Sequence, residues 1–271
     1  MRELRNPCIS VALQKGTPLL RVYICGRLAI EHDSTVLLES AFPARQGRRV
    51  WTYLVVNRRL PVGREDLATV IWDDDIPDGW DPALNALISR LRVMLKPISS
   101  REPELTIRGD VGRYALRLPV ETFVDLERAR LALHTAETKL RSNEYEVALP
   151  EARVAMEIAA RGFLSGETGA WIEGQRRSLR DLQVRALECT IAAELGRGNP
   201  HLAEIEAENL IALEPLHEPG YQLKMRAAAA RGNVAAVSRI MLECRAALRA
   251  QAGTEPSPDT VRLYRGLTGP R

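Results

Sequence analysis

A mainly α-helical fold in two parts is predicted by three features of the 271-residue sequence. Aromatic residues are only 5% of the chain, and Ala, Leu and Arg dominate, a balance that suits packed helices better than an all-β fold. Short β-rich runs are confined to residues 20–38 and 105–118. From residue 120 onward, Gly and Pro punctuate long Ala/Leu-rich stretches. At about 150 residues per domain the length predicts two domains, which the change of pattern places at 1–118 and 119–271.

In the first part, Leu20–Ile24, Leu28–Ile30 and Val36–Leu38 are separated by Gly26 and by His32-Asp33-Ser34, predicting a small antiparallel sheet. Helix one is predicted over Arg45–Arg58, with Val50, Trp51, Leu54 and Val55 inward. Helix two follows over Arg64–Trp72, with Gly63 as N-cap and Leu67, Val70 and Ile71 inward. An acidic loop, Asp73–Gly79, leads to helix three over Asp81–Lys96, where Asp81 caps and Pro82 stands near the first helical position. Pro97 and Pro103 bound the next loop, and Leu105–Leu118 alternates like a hairpin turning at Gly109–Gly112. A sheet, three helices with an amphipathic third, and then a hairpin form the sequence of elements in a winged helix-turn-helix.

Helix three carries two stripes. At about 100° per residue, Leu84, Leu87, Ile88, Leu91 and Leu95 share a core-facing side, and Asn85, Ser89, Arg92 and Lys96 line another. Amide, hydroxyl and basic groups in one line have the chemistry to meet phosphates and base edges in a major groove, although an ordinary amphipathic surface helix shows the same pattern. Arg90 lies about 140° from the Asn85 direction. Arg108 and Arg113 flank the hairpin tip, where a wing would touch a phosphate backbone or where solvated arginines would simply stand. The charge agrees in sign with a polyanionic partner: residues 1–118 hold 18 Lys+Arg against 14 Asp+Glu, hence +4, and the remainder is −1.

In the second part, Gly198-Asn199 and Gly232-Asn233 stand 34 residues apart, the tetratricopeptide period. Ala203-x3-Ala207-x2-Leu210 is echoed by Val237-x3-Met241-x2-Cys244, and earlier by Ala148-x3-Ala152-x2-Ala155 after Ser142-Asn143. Small residues at these places let paired helices approach closely, predicting a short stacked array with a concave protein-binding surface. Residues 161–171 are an insertion, too Gly-rich for helix until about Ala170; Trp171 in it either meets a partner or covers a gap between repeats.

Chemistry has little support. Cys8, Cys25, Cys189 and Cys244 lack zinc spacing and are expected as buried thiols; His32, His134, His201 and His217 are isolated. No HExxH, GxSxG or GxxxxGK[ST] occurs, so no enzyme, metal or cofactor is expected. Without a signal-like N-terminus or a long apolar run, a soluble cytoplasmic protein with no membrane partner is expected.

Six strings in order, Leu67-Ala-Thr-Val-Ile-Trp-Asp73, Ile88-Ser-Arg-Leu-Arg92, Gly112-Arg-Tyr-Ala-Leu116, Val124-Asp-Leu-Glu127, Pro215-Leu-His-Glu218 and Gly253-Thr-Glu-Pro-Ser-Pro258, resemble the Streptomyces antibiotic regulatory protein (SARP) family. Those regulators join an OmpR-like winged helix to a bacterial transcriptional activator domain of tetratricopeptide-like helices. The resemblance implies an activator that binds double-stranded promoter DNA at repeated sites, contacts RNA polymerase and forms a homodimer on DNA. It implies DNA contacts by Asn85, Ser89, Arg92 and Lys96, with Arg90 behind them, by Arg108 and Arg113 on the wing, and by Arg48 and Arg49 near the start of helix one. The chain departs from the family in placing Ala83, Ala86 and Leu87 on helix three, and Gly63 where a Ser or Thr often begins helix two. The acidic loop is expected to face polymerase or solvent. A protein-interaction adaptor that kept the winged fold without reading DNA sequence is the alternative.

Overall fold

A computed structural model of the protein describes residues 20–269; the expected Cys8 thiol lies outside them. The chain is mainly helical, with a small sheet region ahead of an all-helical region. Strands β1 (Arg21–Tyr23), β2 (Ala29–His32) and β3 (Thr35–Leu38) pair antiparallel as predicted. Helices α1 (Ala44–Val56), α2 (Arg64–Trp72) and α3 (Trp80–Ser99) follow. Between α1 and α2 a short strand, β4 (Val62–Gly63), joins the hairpin β5 (Thr106–Asp110) and β6 (Arg113–Arg117), giving a three-stranded wing of order β4-β6-β5.

Three local expectations need correction. Helix α3 begins at Trp80 with Gly79 as N-cap, so Pro82 is its third residue and Asp81 does not cap it; the Asp81 carboxylate is held by Arg64 instead. Pro97 lies inside the helix, which continues to Ser99 and buries Ile98. Proline lacks an N–H and disfavours a helix interior, but it sits in the last turn, where burial of Ile98 holds the helix. The wing turn is only Val111-Gly112, with Gly112 at φ 69°, so Asp110 faces Arg113 across the strands and Arg108 faces Ala115.

Strand β7 (Phe123–Val124) pairs parallel to β1, and helix α4 (Asp125–Arg141) leaves directly from it. Asp125, fully buried, accepts hydrogen bonds from Ile24 N–H (3.0 Å), Cys25 N–H (2.9 Å) and Leu126 N–H (2.8 Å). Burial pushes its carboxyl above the ordinary range while those N–H groups pull it back. One continuous core therefore runs from Leu20 through Trp51 and Leu91 to Leu133, Ala155 and Cys189.

The remaining helices are α5 (Tyr145–Ala160), α6 (Ala170–Gly196), α7 (Pro200–Leu213), α8 (Glu218–Ala230), α9 (Val234–Ala252) and α10 (Pro258–Thr268), each packed against the one before. The repeat is structural. Gly198 (φ 76°) and Gly232 (φ 74°) end α6 and α8 in the left-handed conformation. Each donates back three residues while the following Asn N–H reaches five residues back, the arrangement that satisfies terminal carbonyls. Asn143 (φ 58°) closes α4 in the same way, so it, and not Ser142, fills the glycine's place and keeps the earliest repeat in register. Five residues on from these turns, Ala148, Ala203 and Val237 are all fully buried. At the far end Glu218 accepts from the Ser257 N–H (2.9 Å) and hydroxyl (2.8 Å), joining α8 to α10.

Candidate nucleic-acid interface

The apolar stripe of α3, Leu84, Leu87, Ile88, Leu91, Leu95 and Ile98, is buried against α1, α2 and the wing. Asn85, Ser89, Arg90, Arg92 and Lys96 remain exposed. On the wing, Leu105, Ile107, Tyr114 and Leu116 turn inward, and Arg108, Arg113 and Arg117 turn out. None of these six exposed cations pairs with a carboxylate among the described residues.

The exposed stripe is more ordered than its solvent position implies. Arg92 Nε donates to the Ile107 carbonyl of β5 (3.0 Å), which ties α3 to the wing and leaves both terminal guanidinium nitrogens without a hydrogen-bond partner among the described residues. Ser89 donates its hydroxyl to the Asn85 carbonyl (2.9 Å), so its outward face is an acceptor. Around Asn85, Arg64 Nη1 donates to the Tyr114 hydroxyl (2.8 Å), and that hydroxyl donates to Asn85 Oδ1 (2.7 Å). Arg64 Nη2 also donates to Asn85 Oδ1 (2.9 Å), while Nε donates to Asp81 (2.8 Å). The Arg64 guanidinium also lies over the Tyr114 ring, 5.3 Å from its centroid.

Arg64 and Tyr114 escaped the sequence reading as site residues. Tyr114 is legible as an inward residue of an alternating strand, and a buried tyrosine needs a partner for its hydroxyl. Arg64 gives no such signal, because its partners stand 17, 21 and 50 residues away.

Arg48 and Arg49 lie elsewhere. Arg49 is buried at 4% exposure and spends its donors on Glu167 Oε2 (2.9 Å), the Ile71 carbonyl (2.9 Å) and the Thr168 carbonyl. Arg48 donates to Glu167 Oε1 (3.0 Å), and Glu167 is itself buried. Against the expectation of phosphate contacts, Arg49 is closed off by the insertion 161–169, which covers the start of α1, and Arg48 is drawn to the same carboxylate through Nε while staying partly exposed. The acidic loop is divided as well. Asp73 turns inward, accepting from Ala170 N–H at the start of α6 (3.2 Å) and standing 3.6 Å from Arg49, a favourable place for a carboxylate. Asp74, Asp75 and Asp78 stay exposed. Trp171 packs edge-on against Tyr53 (5.0 Å) and Phe163 (5.4 Å), so it fills the seam beside α1.

Among the described residues no cluster of His, Cys, Asp or Glu is arranged to hold a metal ion, and no helix is long and apolar enough to cross a membrane. Cys25, Cys189 and Cys244 are free and buried. Burial pushes the Cys189 thiol up to about 12 and the Cys244 thiol up to about 11, the opposite of an activated nucleophile.

A family model described as the bacterial transcriptional activator domain matches residues 124–268. Regulatory protein AfsR of Streptomyces coelicolor is 25% identical over 265 residues, 98% of this chain and 26% of AfsR. The chain thus spans about a quarter of the length of that curated relative. The structure of Mycobacterium tuberculosis EmbR, in complex with a low affinity phosphopeptide, is similar in fold, with a TM-score of 0.83 at 22% identity over 92% of this chain and 65% of that one. With the family model covering more than half of its length, the chain belongs to the bacterial transcriptional activator domain family.

Proposed function

We propose that this chain is a transcriptional regulator of the SARP type, a sequence-specific DNA-binding activator whose α3 enters the major groove of promoter repeats while the wing follows the phosphate backbone. Residues 1–118 hold the DNA, and residues 119–271, together with exposed Asp74, Asp75 and Asp78, meet RNA polymerase. The observation that carries the reading is the unpaired cation set on α3 and the wing, Arg90, Arg92, Lys96, Arg108, Arg113 and Arg117, beside Asn85 and Ser89. Cations without a carboxylate partner are available to displace counterions from DNA. Copies pair on direct repeats, so dimerisation depends on DNA. Arg48 and Arg49 have no part in this reading.

A gel-shift titration on promoter DNA tests it. Arg92→Ala with Lys96→Ala is expected to weaken binding at least about tenfold, with wild-type affinity falling steeply as salt rises. Unchanged binding by the double variant overturns the assignment of α3. A second reading, the protein-interaction adaptor, is favoured by exposed Ala83 and Ala86, which leave few side chains to read bases. It wins if the wild-type chain shows no preference for any sequence at low salt while copurifying with a stable protein partner.

A further inference from the structure

We propose that Arg64 and Tyr114 lock Asn85 so that α3 offers a donor, and no acceptor, at that position of the groove. The proposal rests on the DNA-reading role above and names the base edge that role selects. A guanidinium has only N–H donors, so the amide atom facing Arg64 Nη2 at 2.9 Å must be the oxygen. The Tyr114 hydroxyl accepts from Arg64 Nη1 and therefore spends its own proton on the same oxygen, 2.7 Å away. Both lone pairs of Asn85 Oδ1 are then used. The amide cannot flip without setting its NH2 against the guanidinium, so Nδ2 points outward.

An unrestrained asparagine reads adenine by pairing its oxygen with N6 and its nitrogen with N7. Here the oxygen is withheld. Adenine would offer only N7, and its N6 amino group would meet no acceptor on Asn85. Guanine presents two acceptors, N7 and O6, to the Asn85 NH2 group, so guanine is favoured over adenine. Arg92, with Nε held by the Ile107 carbonyl, keeps its two terminal nitrogens unbonded, a pair of donors that also suits guanine. Asn85 and Arg92 are seven residues apart on one helix, about 10 Å at 1.5 Å per residue. Projected on the DNA axis that distance is at most about three base pairs at 3.4 Å each, so the bound half-site carries two guanines within about three base pairs of each other.

Selection from a randomised duplex library with the full chain tests the proposal, comparing wild type with Asn85→Ala, Asn85→Asp and the pair Arg64→Ala with Tyr114→Phe. Wild type is expected to select guanine at one position about tenfold over adenine, and Asn85→Ala should erase that preference alone. Asn85→Asp keeps one oxygen in the network and turns the other outward, so the preference should switch to cytosine, whose N4 donates. The pair of substitutions frees the amide oxygen and should admit adenine. Should that pair fail to fold, Asn85→Asp alone decides. Adenine selected by wild type at the position that Asn85→Ala erases, or no change in either Asn85 variant, overturns the lock while DNA reading stands. No enriched sequence for wild type overturns both proposals.

Discussion

The arginines of α1 and those of α3 and the wing look alike in sequence and are used in opposite ways. Arg48 and Arg49 close on Glu167, and Arg49 is buried with it. Arg92, Arg108 and Arg113 stand exposed with no carboxylate partner among the described residues. A basic pair on an amphipathic helix is therefore no guide to polyanion binding until its neighbours are known. Here the neighbour comes from an insertion more than a hundred residues away. Loop 161–169 joins both parts: Gly26 N–H donates to the Gly162 carbonyl (2.9 Å), and Arg176 Nε to the Phe163 carbonyl (3.0 Å). The first set of arginines fixes the winged part on the helical array, and the second is left for a partner.

The sharpest way to break that contrast is to remove the shared carboxylate. Glu167→Ala breaks the buried Arg49 pair and leaves that guanidinium only the more exposed Asp73, 3.6 Å away, as counter-charge; breaking a buried pair typically costs about 3–5 kcal/mol. Chemical denaturation should show a fall of that order, whereas Arg108→Ala should change stability by less than about 0.5 kcal/mol. If Glu167→Ala were as mild as Arg108→Ala, the buried cluster would not hold the two parts together.

Most of this architecture is legible in the sequence because each signal is local. The alternating hairpin, the spacing of Leu84, Leu87, Ile88, Leu91 and Leu95, and the 34-residue return of Gly198 at Gly232 are periodicities that backbone geometry imposes. Helix α2 and the start of α6 fall where Gly63, Trp72 and Ala170 predict them. What escaped is non-local. Strand β7 is two residues long and pairs with a strand about a hundred residues earlier. Arg48, Arg49 and Asp73 changed meaning because Glu167 and Ala170 fold against them. On α3 the exposed residues were identifiable from the helical period, but the order imposed on Asn85 by Arg64 and Tyr114 depends on three elements meeting.

A milder test of the contrast uses pH. Arg58 donates twice to Glu127 (2.7 Å each), tying the end of α1 to α4. Those hydrogen bonds hold the Glu127 carboxyl below its ordinary range. A carboxyl whose folded-state value is depressed contributes stability above its unfolded value, about 4.3, and loses it as pH falls through the folded value. The stability difference between wild type and Glu127→Gln should thus be present at pH 7 and shrink below about pH 4. Both side chains are partly exposed, so the difference should stay within about 1 kcal/mol. A difference that did not change with pH would mean that packing, and not charge, joins these helices.

The smallest expected effect falls on the free set. Arg113 stands at the wing tip opposite Asp110, with its guanidinium exposed. If it meets a phosphate, Arg113→Ala removes one counterion-releasing contact, and the slope of log K against log salt should become shallower by about 0.9. Affinity at a fixed moderate salt should drop only severalfold, and equally for all sequences, because a phosphate contact carries no base information. Arg113→Lys should restore the slope, since a phosphate needs only a cation there. Arg48→Ala, measured beside it, should leave the slope unchanged while lowering stability. An equal change of slope in both variants would mean that the junction also shapes the DNA surface, and the division between the two sets of arginines would fail.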